Sequence, residues 1–95
     1  MAVTVHIPGP LRGYASGESR LALDDPPPAT LADALRDLGK RFPGVRDRVL
    51  DEQGRQRVHV NLFVDREDVR FGDGLATALG PNAVVHILPA VSGGS

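Results

Sequence analysis

The N-terminal segment alternates between apolar and polar residues. Val3, Val5 and Ile7 share one parity, with Thr4 and His6 between them, which predicts a strand with one buried face. A second short strand is predicted at residues 20–23, after a stretch rich in proline and glycine that is predicted to be a turn or loop. Two short strands joined by such a stretch predict an N-terminal β-hairpin.

The next pattern has the period of a helix. Thr30 is a candidate N-cap, and Asp33, three residues later, completes a weak capping box. Pro43 is expected to end the helix, and residues 45–51 can add one further turn. The face predicted to be buried consists of Leu31, Leu35, Leu38 and Phe42, with Ala34 beside them.

The C-terminal half predicts two main strands. Residues 58–64, "VHVNLFV", alternate so that Val60, Leu62 and Val64 share one face. "DRED" is expected to turn the chain, and residues 69–79 are expected to be short and irregular because Gly72 and Gly74 interrupt them. The continuously apolar "AVVHIL" predicts a last strand in a central position.

The order hairpin, helix, strand, short strand, strand predicts an α+β fold. One main helix packed on a mixed sheet of four to five strands would bury all of these faces. The β-grasp, or ubiquitin-like, fold fits this order, with the last strand between the first and the third. Residues 1–90 are expected to form one domain, and residues 91–95 a flexible C-terminal tail.

Composition excludes several classes of function. The net charge of −1 argues against a general nucleic-acid binder, which would carry a basic stripe. The chain has no cysteine, and therefore no disulfide or thiolate metal site. No apolar run is long enough for a membrane helix, and no signal peptide is visible, so a cytoplasmic location is expected.

The polar residues do not form a recognisable active site. Ser92 has no discernible base to activate it, so we expect no catalytic residues. His6, His59 and His86 would all point to the sheet face away from the helix if the strands are as predicted. Three imidazoles there could bind Zn²⁺ or form a patch that titrates near neutral pH. No metal-ligand spacing supports the first alternative, and no metal or bound cofactor is predicted.

The C-terminal third resembles a known family. The segments "EDVRF", "GLATA" and "ILPAV", followed by Gly93 and Gly94, are similar to the ThiS/MoaD family of ubiquitin-like sulfur carriers. Within that family they are most similar to the CysO-type carriers of actinobacterial cysteine biosynthesis. The opening "VTVHIP" followed by "LR" also fits, so the resemblance covers nearly the whole chain.

The resemblance implies a protein cosubstrate rather than an enzyme. An E1-like adenylyltransferase would activate the Gly94 carboxylate with ATP, and a sulfur donor would convert it to a thiocarboxylate. A pyridoxal-phosphate (PLP)-dependent cysteine synthase would use the sulfur, and a metal-dependent (JAMM-type) peptidase would release cysteine. Other carriers of this kind serve molybdopterin, thiamin or sulfur-containing natural products. A ubiquitin-like modifier of lysines is a further alternative, as is a binding module with an inert tail.

The last residue of the chain has two interpretations. Ser95 follows Gly94, so the glycine has an amide where the chemistry needs a carboxylate. Either a peptidase removes Ser95, or the serine is a cloning remnant or an engineered block. Val91, Ser92 and Gly93 would form the rest of the tail.

The predicted partner surface lies beside the tail. Phe63 and Leu88 on the open sheet face, together with Pro89, are expected to anchor the activating enzyme. The alternative for Phe63 is a core residue under a loop.

Overall fold

A computed structural model describes residues 2–24 and 27–89. It contains a five-stranded sheet, two α-helices and three 3₁₀ helices at Gly9–Ala15, Val69–Phe71 and Gly74–Ala76. The strands and α-helices, in chain order, are β1 (Val3–His6), β2 (Arg20–Leu23), α1 (Leu31–Arg41), α2 (Pro43–Val49), β3 (Val60–Val64), β4 (Glu67–Asp68) and β5 (Val84–Pro89).

The sheet has the order β2-β1-β5-β3-β4. The hairpin strands β1 and β2 are antiparallel, β5 runs parallel to β1, and β3 is antiparallel to both β5 and β4. The last strand therefore lies at the centre of a mixed sheet, as its continuous apolar sequence predicted. This arrangement confirms the predicted α+β, β-grasp fold.

Helix α1 begins and ends where its sequence indicates. The hydroxyl of Thr30 accepts a hydrogen bond of 3.2 Å from the Asp33 backbone N–H, which satisfies one of the unpaired donors of the first turn. The helix ends at Arg41, and Pro43 then occupies the first turn of α2, where a missing N–H costs nothing.

The core lies between the sheet and the helices. Every residue of the predicted apolar parity in β1 and β3 is buried, and Leu62 and Val85 have no exposed surface. From α1 the fully buried side chains are Leu31, Ala34, Leu35 and Leu38, while Phe42 packs partly buried against the same cluster. Neither α-helix covers the opposite face of the sheet, and the residues of β1, β3 and β5 on that face are partly exposed.

Two local predictions were wrong. The strand predicted from residue 58 begins only at Val60, because Val58 and His59 form a turn and Val58 is 83% exposed. The stretch after β1 is not a loop, since Gly9–Ala15 forms a 3₁₀ helix that buries Leu11 and Ala15. Pro10 in its first turn supplies a backbone angle that suits this helix.

The helices of the described part of the chain are short. Among residues 2–24 and 27–89, none is long and apolar enough to cross a membrane.

Candidate functional site

The candidate site is the end of β5, from which the C-terminal residues continue. Leu88 pairs with Asn61 and Pro89 pairs with Val60, so β3 holds β5 as far as its last residue. On the other side, pairing with β1 extends to His86. The predicted tail residues Val91, Ser92, Gly93, Gly94 and Ser95 lie outside the described residues, so the predictions about them are not tested by the structure.

Two of the three predicted partner residues, Phe63 and Leu88, lie on the same face of the sheet. Phe63 pairs with His86 and is half-buried, whereas Leu88, two residues further along β5, is 48% exposed. Both belong to the parity that points away from the helices, because their neighbours Leu62 and Ile87 are buried. Pro89 is half-buried at the end of the strand and has the parity of the buried Ile87, so it lies on the side of the helices. The structure therefore brings these three residues to the base of the tail, and their contact with a partner stays a prediction.

Arg70 fastens the part of β3 that pairs with the end of β5. Its Nη1 donates to Asn61 Oδ1 at 2.9 Å, and its Nη2 lies 2.9–3.0 Å from the carbonyl oxygens of Arg57, Val58 and Val60. Asn61 and Val60 are the partners of Leu88 and Pro89. The Arg70 side chain thus fixes the turn before β3 and, through the pairing of β3 with β5, the base of the tail.

Two exposed apolar side chains near this end of the sheet were missed by the sequence analysis. Phe71 is 91% exposed and follows Arg70 directly, and Val58 is 83% exposed on the turn that Arg70 binds. A signal for Phe71 was present: it belongs to "VRFG", which is too short and too interrupted to bury an aromatic ring by periodicity. Val58 carried the opposite signal, because its parity matched the buried side of β3.

The three histidines do not come together as predicted. His6 and His86 are register partners on parallel strands, and their rings stack with centroids 4.4 Å apart and planes 19° apart. His59 lies in the exposed turn before β3. Within residues 2–24 and 27–89, no group of three histidine, cysteine or acidic side chains is placed to hold a metal ion.

The environment of the histidine pair is electropositive. Partial burial lowers the pKa of His6 below its usual value, and the nearby His86 and Arg20 lower it further because they disfavour a second positive charge. The pair therefore forms a patch on the open face, on the side of β5 opposite to Phe63.

A protein-family model matches nearly the whole chain. The ThiS family model matches residues 5–94, which include the second half of β1 and all of the other strands. The chain belongs to the ThiS family. The predicted resemblance is confirmed, and with it the ubiquitin-like architecture.

Curated members of related families align with most or all of the chain. The sulfur carrier protein CysO of Mycobacterium tuberculosis is 40% identical over 96 residues, which cover 99% of this chain and 100% of CysO. The small archaeal modifier protein 3 of Haloferax volcanii is 38% identical over 66 residues, or 70% of this chain and 71% of that protein.

Solved structures agree with these sequence relations. The structure of a BexX/CysO complex from Amycolatopsis orientalis contains a chain that superimposes with a TM-score of 0.86 at 35% identity. The alignment covers 98% of this ThiS-family chain and 100% of that one. The described fold is therefore similar along its full length to a chain that has been crystallised with another protein.

Proposed function

We propose that this ThiS-family protein is a sulfur carrier that acts through the carboxylate of Gly94. The observation that carries the proposal is the full-length similarity to CysO together with a central strand, β5, whose last residue, Pro89, follows the exposed Leu88. The protein itself contributes no catalytic group. It presents one acyl group to other enzymes, which supply the chemistry.

The proposed reaction has two steps. A carboxylate oxygen of Gly94 attacks the α-phosphorus of ATP and expels pyrophosphate, which forms an acyl-adenylate. A hydrosulfide ion supplied by a sulfur donor then attacks the carbonyl carbon, the bond to AMP breaks, and a thiocarboxylate remains. Glycine suits this position because no Cβ crowds the reacting carbonyl in a narrow channel. If Ser95 is present on the working protein, its peptide bond must first be hydrolysed, since the amide has no free carboxylate to activate.

The described residues are arranged for delivery of such a group. Residues 90–94 can reach about 17 Å beyond Pro89 when extended, which is enough to enter a partner's active site while the sheet stays outside. Phe63, Leu88 and Pro89 at the base of that segment would form the docking contact with the activating enzyme. Protein interfaces commonly have an apolar centre that is surrounded by polar residues.

Cysteine biosynthesis is the destination that we propose for the sulfur. It rests on the similarity to CysO and would require a PLP-dependent synthase that accepts the thiocarboxylate and a peptidase that frees the product. Carriage to molybdopterin, thiamin or a sulfur-containing natural product would use the same carrier chemistry with another acceptor. A cytoplasmic location would place the protein with these partners.

A second candidate function is attachment to lysines of other proteins. The similarity to a small archaeal modifier protein favours it, because conjugation would use the same Gly94 adenylate. A lysine amine would then replace the sulfur nucleophile and leave an isopeptide bond. The two functions therefore differ in the acceptor rather than in the activation step.

The test is intact-mass spectrometry of a chain that ends at Gly94, incubated with ATP, the host's activating enzyme and a sulfur donor. We expect replacement of one oxygen by one sulfur at the C-terminus, and loss of that product in Gly94→Ala. Gly80→Ala is the matched control, because a Cβ at residue 80 meets nothing within 4 Å and leaves the tail unchanged. Equal sulfur incorporation in Gly94→Ala would refute the proposal, whereas isopeptide-linked lysines without thiocarboxylate would favour the modifier function.

A further inference from the structure

A groove on the open face lies on the opposite side of β5 from Phe63. It has a volume of about 410 Å³, and its polar lining comes from several elements. The side chains that matter here are His6, Arg12, Ser19, Arg20, His86 and Leu88. The size lies within the range of surface sites that hold a ligand group, and Leu88 joins the groove to the base of the tail.

The charges around the groove are all of one sign. Arg20 on β2 is the register partner of His6 on β1, and His6 is the register partner of His86 on β5. Arg12, from the 3₁₀ helix, lines the same space, and no carboxylate is among the lining residues. Among residues 2–24 and 27–89, neither arginine forms an ion pair. Two permanent cations and two imidazoles therefore face one space without a counter-charge in the described structure.

Part of this cluster is held in place before any ligand binds. The Nε of Arg12 donates to the Ile7 carbonyl oxygen at 3.0 Å, which fixes the guanidinium at the wall of the groove. The two imidazoles are stacked at 4.4 Å, so a proton on one raises the cost of a proton on the other. The pKa of His6 is lowered first by its partial burial and then by the positive charge of His86 and Arg20. An anionic group in the groove would offset this positive charge.

We propose that this groove binds a carboxylate-bearing segment of a partner protein. A segment fits better than a small inorganic anion because the groove also has apolar walls from Ile7, Pro8 and Leu88. A peptide side chain can cover these walls, whereas a lone phosphate would leave them exposed to water. Arginine binds carboxylates with paired hydrogen bonds, and the histidines add charge as they take up protons. The inference rests on the proposed function in one respect, that the partner is an enzyme which also receives the tail.

The pH dependence follows from the same cluster. Partial burial, His86 from β5 and Arg20 from β2 disfavour the protonated form of His6. Arg12 from the 3₁₀ helix lines the same groove. A bound carboxylate favours the protonated form, so binding is coupled to proton uptake. Affinity for the segment should therefore increase as pH falls and His6 takes up its proton, while glutamate side chains stay ionised above about pH 5.

The test uses the full chain alone and a hexaglutamate peptide as the probe, followed by ¹H–¹⁵N NMR at about pH 6 and about pH 8, on either side of the ordinary histidine pKa. We expect saturable shifts at His6, Arg20, His86 and Leu88, with affinity about three- to tenfold higher at the lower pH. Arg20→Gln should lower the affinity by a similar factor. The double variant His6→Gln/His86→Gln should remove the pH difference.

Arg41→Gln is the matched control, since Arg41 is exposed on α1 and is not part of the groove. Equal weakening by Arg41→Gln and Arg20→Gln would mean only a general charge effect, and would overturn the proposal. Saturable binding of inorganic phosphate without binding of the peptide would overturn it as well. The measurement needs neither Gly94 nor the activating enzyme, so its failure is distinguishable from failure of the sulfur-carrier function.

Discussion

Removal of the Arg70 side chain should destabilise the fold, and the pairing of β3 with the end of β5 in particular. The loss should be larger than for an exposed arginine that makes no side-chain hydrogen bonds. Arg70 contacts four acceptors: Asn61 Oδ1 and the carbonyl oxygens of Arg57, Val58 and Val60. Three of them share one nitrogen with two hydrogens, so the contacts cannot all be full-strength hydrogen bonds. The effect is therefore smaller than four separate bonds would give.

The change in the free energy of unfolding depends on which of these acceptors find another hydrogen-bond donor when the Arg70 side chain is removed. A hydrogen bond to a charged group contributes about 1.5–3 kcal/mol. The acceptors of Arg57 and Val58 lie near solvent and can bind water instead, and the Val60 carbonyl keeps its bond from Gln56 Nε2 at 2.7 Å. We expect Arg70→Ala to lower the free energy of unfolding by about 2 kcal/mol, or roughly 8–16 °C in Tm for a domain of this size.

The assay combines urea unfolding with hydrogen exchange. Arg70→Lys should recover less than half of the loss, since an ammonium keeps the charge but not the planar fork that reaches several acceptors. Exchange should accelerate at Asn61 and Leu88 more than at Val5, because the contacts of Arg70 converge on the start of β3. Arg41→Ala is the control, since Arg41 makes no side-chain hydrogen bond or ion pair with the described residues. A loss no larger than that of Arg41→Ala, or uniform acceleration of exchange, would refute the reasoning.

Two further predictions concern backbone strain and pH. Asp65 and Arg66 connect β3 to β4 with φ of 49° and 75°, in the left-handed region that favours glycine. Arg66→Gly should therefore raise the free energy of unfolding by about 0.5–1 kcal/mol, whereas Arg66→Ala should not. Equal urea midpoints for the Gly and Ala variants would contradict this. The pKa of His6 is lowered on folding, so the unfolded chain binds a proton at higher pH and stability should fall as pH decreases from above about 6.5 through the folded pKa. Unfolding curves across that range should show the slope reduced in His6→Gln and kept in His59→Gln, an exposed control outside the groove; an unchanged slope in His6→Gln would assign it to another group.

The sequence was sufficient for the elements whose burial is periodic. The alternation in β1 and the helical spacing in α1 identify the core directly, because each period corresponds to one buried face. The continuous apolar run of β5 predicted its central position for the same reason. These signals are local, so they need no knowledge of what packs against them.

The errors arose where distant residues decide the local structure. Val58 has the parity of a buried strand residue, but its carbonyl accepts from Arg70, which is 12 residues further along the chain. That contact belongs to a turn, and no period in residues 58–64 reveals it. The stacking of His6 on His86 similarly depends on the parallel register of β1 and β5, and His59 is excluded because β3 begins after it.

The position of β5 separates two tasks that a carrier of this kind must perform. Its pairing with β3 and β1 orders the strand as far as Pro89 before any partner arrives, so binding need not supply the entropy cost of ordering that part of the chain. The residues that would enter a partner's active site in the proposed function begin after Pro89. The same strand divides the open face into an apolar side at Phe63 and a cationic side at His6 and Arg20, with Leu88 between them. A partner that offers an apolar pocket next to an acidic segment would contact both sides at once, and the two contacts together would fix the direction in which the tail enters.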